Sequence, residues 1–244
     1  MTFPSNVDSM LNNSWFRYSR SLSSGTFSFR LPGVLCLLTV LWLLMPSAAF
    51  AQVFSSETIS DSVFARMSGR SYGEGCTVPL SELRYLRVAH YDAEGNVCQG
   101  ELVCNKAIAQ KLLAIFKQLY QARYPIERVR LIDDYNGDDE RSMSDNNTSC
   151  FNFRPIAGSS RLSNHSLGLA IDINPLYNPC VRRRSDGSSK VQPAAGRRYA
   201  SRKGTWPYKL EKGDLCHRLF VRHGFTWGGS WRSVKDYQHF EYRP

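Results

Sequence analysis

No stretch of the chain reaches the roughly 20 apolar residues that cross a bilayer. The longest apolar run, Leu31 to Leu44, stops at about 14. No two cysteines have C-x2-C spacing, so the common zinc-finger layouts are absent. No internal repeat is present, and the 244 residues allow one good-sized domain or two small ones. Histidine is scarce, at five residues, which leaves few candidates for any site that needs an imidazole. What is abundant is apolar and aromatic content: 42% hydrophobic, with thirteen Phe, twelve Tyr and five Trp. That composition favours an ordered globular fold over a disordered one.

The short apolar run has a position and flanks that explain it. Arg17, Arg20 and Arg30 precede it, and Ala49-Phe50-Ala51 follows with the small-x-small form of a cleavage site. A basic segment, a short apolar segment and an A-x-A end make a secretory signal, with cleavage expected after Ala51. Residues 1–51 are thus read as signal, 52–75 as a polar, Gly/Ser-rich linker or N-terminal arm, and 76–244 as the working domain. An uncleaved membrane anchor is the alternative for the first segment. Six of the seven cysteines lie beyond the signal: Cys76, Cys98, Cys104, Cys150, Cys180 and Cys216. An even number in an exported chain points to disulfides, with the pairing left open. The formal charge of +10 falls to +8 without residues 1–51, which hold three Arg and one Asp. For an exported protein an excess of this sign suits anionic wall polymers or lipid headgroups, and otherwise serves solubility. Nucleic acid is not expected as a partner.

Along the working domain, Leu83 to Asp92 reads as a strand, Glu94-Gly95-Asn96 as a turn, and Val97 to Val103 as the returning strand. Asn105 caps an amphipathic helix whose Ile108, Leu112, Leu113, Ile115, Phe116 and Leu119 recur at helical spacing. Val129 to Ile132 reads as a strand and 133–149 as an exposed polar loop containing the sequon Asn146-Asn147-Thr148. Phe151 to Arg154 and Ala170 to Ile173 read as short strands, and 181–204 as a basic loop. Asp214 caps a helix from Leu215 to His223 that Gly224 stops. Phe225 to Trp227 and Tyr237 to Tyr242 read as closing strands. Strands and helices interleaved in this way argue for one α+β domain.

Two segments carry chemistry: S-N-H-S-L-G-L-A-I-D at 163–172, and D-Y-Q-H-F-E at 236–241. His165 precedes a glycine that allows a tight return, and Asp172 ends the strand-like run after it. His239 lies on the last strand, and alternation places Glu241 on the same side. Two His and one carboxylate form a zinc donor set that leaves a position open for water. Asp236 and Glu241 are then candidates for the carboxylate that moves protons. By spacing alone, a His-x6-Asp pair is more often a buried hydrogen-bonded pair than a metal site. His90, His217 and His223 have no such surroundings, and His223 suits a favourable contact with a helix C-terminus. Trp206, Trp227 and Trp231 are read as core, with a cleft wall as the second reading.

The first segment resembles the S-x-H-x-x-G-x-A-x-D signature of the zinc D-Ala-D-Ala carboxypeptidase family, which includes phage L-alanyl-D-glutamate endopeptidases. The second resembles the carboxylate-x-x-His motif of the same family, in the same order and near the C-terminus. The resemblance spans about 124–242. It implies His165, Asp172 and His239 as ligands of one zinc ion, and Asp236 as the general acid/base. Arg154 would contact substrate and steady the oxyanion, Ser163 would contact substrate or orient the first ligand, and Glu241 would hold a ligand histidine. The implied fold is the small α+β fold with an antiparallel sheet and flanking helices shared with hedgehog signalling domains. The implied activity is hydrolysis of peptidoglycan stem peptides by an exported, monomeric enzyme in the periplasm or cell wall. The terminal D-Ala-D-Ala bond is the first choice, with an L-Ala-D-Glu-type endopeptidase or a non-catalytic wall-binding module as alternatives. The cysteines and the basic segment 181–204 depart from the family pattern.

Overall fold

The computed structural model describes residues 53–156 and 159–244. The signal and its cleavage site at Ala51 lie outside the described residues. Among the described residues no helix is long and apolar enough to cross a membrane.

The chain begins with β1 (Ser55–Glu57) and α1 (Asp61–Met67), the latter capped by Ser60, whose side chain accepts from Val63 N. The segment read as a linker is therefore structured. Val63 and Met67 are buried with Leu83, Val103 and Phe151, so its helix covers the far side of the first sheet. That sheet is β1 with β2 (Leu83–Tyr91) and β3 (Val97–Asn105), all antiparallel. β2 and β3 pair along their whole length as the alternating sequence requires. Asn105 ends β3 and caps α2 (Lys106–Gln121), accepting from Ala107 N at 3.0 Å. The apolar stripe of α2 is the main core. Ile108, Leu112, Ile115 and Phe116 are fully buried, each contributing about 1.5–3 kcal/mol by leaving water.

The region 133–149 is not a featureless exposed loop. After the two-residue β4 (Arg128–Val129), a 3-10 turn at Ile132–Tyr135 leads into α3 (Asp139–Ser144) and then β5 (Asn147–Thr148), which pairs parallel with β4. Asn146, Asn147 and Thr148 are completely buried. Asn146 donates to Glu127 and accepts from Leu176 N, so the sequon is enclosed. Asn146 to Thr148 are polar because their side chains replace a regular backbone ladder, while Asp134, Asn136, Asp138, Glu140 and Arg141 do face water. Phe151 to Arg154 is extended without forming a named strand, anchored by Phe151 N on Val103 O.

The second sheet has the order β6 (Ala170–Asp172), β11 (His239–Tyr242), β9 (Phe225–Trp227) and is antiparallel. Helix α4 (Leu215–Arg222), capped by Asp214 as expected, packs against β9. Phe220 stacks on Phe240 at 4.2 Å between ring centroids. The third sheet is β10 (Val234–Asp236), β7 (Cys180–Arg183), β8 (Ser189–Gln192), again antiparallel. The basic loop read at 181–204 is thus largely this ribbon followed by a 3-10 turn at Ala194–Tyr199. The architecture is the expected α+β domain, with its antiparallel pairing divided over three small sheets.

All six described cysteines are free thiols, which corrects the expected disulfides. Cys104, Cys150 and Cys216 are buried among aliphatic and aromatic side chains. They fill core volume as small apolar residues.

Candidate metal centre

The second sheet places the two carriers of the site on facing strands. β6 and β11 pair so that Asp172 stands opposite His239 and Ile171 opposite Phe240. Ile171 and Phe240 are fully buried in the core, and the pleat turns Asp172, His239 and Glu241 the other way. His165 arrives from a 3-10 turn at Asn164–Leu167, whose first N–H groups are capped by Ser163 Oγ at 3.3 Å from His165 N. The turn ends at Gly168 in a left-handed conformation, φ +66°. A Cβ there would lie 2.6 Å from Asn105 N. Glycine is required both for the turn and for the close passage of this loop over the end of β3.

The three side chains converge. His239 Nδ1 is 3.0 Å from Asp172 Oδ1, His165 Nε2 is 3.4 Å from Asp172 Oδ2, and the two imidazoles approach to 3.2 Å. One donor atom from each lies within 4.8 Å of the others. His165 Nδ1 donates to Cys150 O at 2.6 Å, which fixes the tautomer and leaves Nε2 as a lone-pair donor facing the cluster. Burial alone would raise the Asp172 carboxyl, but His165 and His239 outweigh it and hold it well below its ordinary range. Burial likewise opposes charge on His239, yet its bonds to Asp172 and Glu241 raise it to about 10. Two neutral-capable imidazoles and an ionised carboxylate, all buried and drawn together, suit a divalent cation, and zinc in particular.

The remaining expected residues surround this centre. Glu241 Oε2 lies 3.6 Å from His239 Nε2 and accepts from Asn164 Nδ2 at 2.5 Å, while Arg243 reaches its other oxygen at 3.0 Å. The bond to His239 first, with Asn164 and Arg243, brings Glu241 down to about 2 against the opposing effect of burial. Asp236 ends β10, with its Oδ1 enclosed and free of any hydrogen-bond partner. Burial raises its carboxyl above the ordinary value, assisted by the charge of Asp172 and opposed by His239. Gly228 makes room for it: a Cβ at that residue would sit 2.8 Å from Asp236 Cβ and 3.3 Å from His239 Cβ. Arg154 pairs with Asp139 at 2.6 Å, and its Nε is buried without a partner. Ser166 Oγ pins that segment, bonding both Arg154 N and Arg154 O.

His165, Asp172, His239, Glu241, Asp236 and Arg154 all border one cleft of about 970 Å³. Trp231 forms part of its wall, 5.3 Å from the His239 ring, while Trp227 is buried and Trp206 packs on Tyr199. His90 is buried with Nδ1 on Ile126 O, His217 stands against Trp227, and His223 donates back to Leu219 O at the end of α4. None of them joins the cluster. The sequence reading did not single out Asn164, Ser166, Gly228 or the Cys150 carbonyl. Asn164 and Ser166 stand inside the first motif, but a carbonyl acceptor and a close-approach glycine leave no mark of their own in one sequence.

A His/Asp/His donor set in a cleft, with a carboxylate beside it whose Oδ1 has no hydrogen-bond partner, is an arrangement that suits a metal-dependent hydrolase. Residues 157–242 match the family model described as D-alanyl-D-alanine carboxypeptidase. That match agrees with the resemblance read from the two motifs. Arg154 lies just outside the matched residues. No curated protein and no solved structure matches the chain.

Proposed function

We propose that the chain is a zinc-dependent peptidase that hydrolyses stem peptides of peptidoglycan, acting first as a D-alanyl-D-alanine carboxypeptidase. The observation that carries the reading is the convergence of His165 Nε2, Asp172 and His239 Nδ1 within 4.8 Å, beside Asp236. These three residues would hold the ion. Bound zinc supplies a Lewis acid for a carbonyl oxygen and lowers the pKa of a water at its open position.

The chain's own groups then divide the remaining work. Asp236, enclosed and raised by burial, takes a proton from the attacking water and returns it to the leaving amine. Arg154 borders the cleft and offers its guanidinium to a substrate oxygen, and Asp139 fixes the guanidinium plane. Ser163 orients the first ligand by capping its turn, and Glu241 holds the outer nitrogen of the second. The amino-terminal signal would deliver the enzyme to the wall, where its substrate lies.

The zinc-loaded chain, incubated with purified peptidoglycan fragments with and without a chelator, tests this by product mass. Chelator-sensitive release of D-Ala supports the carboxypeptidase. Release of longer stem pieces replaces it with the endopeptidase. No cleavage with zinc bound overturns the enzymatic reading in favour of a wall-binding module.

A further inference from the structure

The ribbon β7–β8 is where this chain departs from the motifs of its family, and its register ties it to the site. Asp236 on β10 stands opposite Cys180 on β7, which stands opposite Gln192 on β8. That row borders the cleft. Two residues along, about 7 Å away on the same face, lies the row Val234, Arg182, Lys190. Val234 and Arg182 border the cleft as well. The opposite face carries Val181 and the buried Val191, so the ribbon is seated by its other side.

Arg182 and Lys190 are therefore two exposed cations directly opposite each other across two strands. Like charges in this position destabilise a ribbon. Among the described residues neither forms an ion pair. The one acid in the hairpin, Asp186, is engaged by Ser188 N in the turn. Of the three other cleft arginines, Arg154 is matched by Asp139 and Arg243 by Glu241, while Arg161 forms no ion pair among the described residues and lies outside the ribbon. An unneutralised pair on the Asp236 face, one row from the reacting centre, is complementary to an anion.

We propose that Arg182 and Lys190 form a subsite for a carboxylate of the substrate chain lying outside the scissile bond, so that this enzyme selects acidic peptides. An extended peptide advances about 3.3–3.6 Å per residue, so the carboxylate belongs to a residue roughly two positions from the cleaved bond. The inference rests on the peptidase reading above.

The test uses the full, zinc-loaded chain and two stem peptides of one sequence, with the carboxylates away from the C-terminus either free or amidated. Wild type is expected to favour the free acid in kcat/KM by roughly five- to tenfold, as two partly exposed charge contacts allow, and less at high salt. In the double variant Arg182→Gln, Lys190→Gln the ratio of acid to amide falls to about one. A control, Arg183→Gln with Lys235→Gln, removes two charges from the other face and keeps the ratio. An unchanged ratio in the first variant overturns the proposal, as does an equal fall in the control. If neither peptide is cleaved, the peptidase reading fails separately, and calorimetric binding of the same two peptides decides the subsite. Preferential binding of the acid, lost only in the first variant, supports it, and equal binding overturns it.

Discussion

His239 and Asp172 are a cross-strand pair: they stand opposite each other on β11 and β6, with Nδ1 and Oδ1 3.0 Å apart. The pleat that buries Ile171 and Phe240 aims both polar side chains at His165. Replacing Asp172 by Asn keeps the shape but removes the charge that draws the two imidazoles together. Asp172→Asn is expected to lose stoichiometric zinc after dialysis, as measured by elemental analysis. Retention of one equivalent at wild-type affinity would refute the ligand assignment.

Glu241 acts on the same histidine from outside. It holds His239 Nε2 and is itself held by Asn164 and Arg243. Groups that orient a ligand in this way are typically worth about 10–100-fold in metal affinity. Glu241→Gln is expected to weaken zinc binding by about tenfold in a chelator competition, with zinc still bound at saturating concentration. An unchanged affinity would reduce Glu241 to a buried partner of Asn164 and Arg243 with no part in holding the metal.

Under the proposed function, Asp236 is the residue that separates catalysis from metal binding. Its enclosed Oδ1 has no partner within the protein, so Asn can occupy the same space without moving a proton. Asp236→Asn is expected to keep full zinc content while hydrolysis falls by about 10²–10⁴-fold. A variant that keeps wild-type turnover would transfer the proton-moving role to another group.

The candidate donor set was legible in the sequence because each of its three residues lies in a short motif whose local structure is self-contained. Ser163 caps the turn that holds His165, Gly168 ends it, and the alternation of Ala170–Asp172 and His239–Tyr242 sets the faces. The β2–β3 hairpin and the capped helix α2 were legible for the same reason, since turn, cap and periodicity are local signals. What escaped was decided by tertiary context. Asn146 to Thr148 reads as surface but is buried, because Glu127 and Leu176 N satisfy it from elsewhere in the chain. The cysteines read as disulfides by count, but Cys104, Cys150 and Cys216 lie in the core as thiols. The ribbon β7–β8 reads as a charged loop because its structure comes from pairing with β10, some fifty residues from its own start.

Gly168 has two independent reasons to be glycine, the positive φ and the 2.6 Å approach to Asn105 N. Gly168→Ala is expected to lower stability by about 1–3 kcal/mol from strain at that backbone position. It should also loosen zinc, because the turn carries His165. Thermal melting with and without zinc reads both effects. A wild-type melting temperature would show that the loop can shift without cost.

His90 sets one expected pH dependence of stability, away from the metal centre. Its ring is buried between the first sheet and the segment after Pro125, with Nδ1–H donating to Ile126 O at 2.6 Å. Burial lowers its pKa below the ordinary 6.5, against the smaller raising effect of that bond. The unfolded chain therefore takes up the proton first as pH falls, and the folded state binds fewer protons in that window. By linkage, the contribution of neutral His90 is complete above about 6.5 and declines as pH drops through that value. Gln can keep a neutral donor near Ile126 O but cannot titrate. Denaturant unfolding of wild type and His90→Gln at pH 7.5 and 5.5 isolates the effect. Wild type is expected to lose more stability over that interval than the variant. Equal losses would mean that His90 titrates alike in both states, and that its burial does not govern its charge.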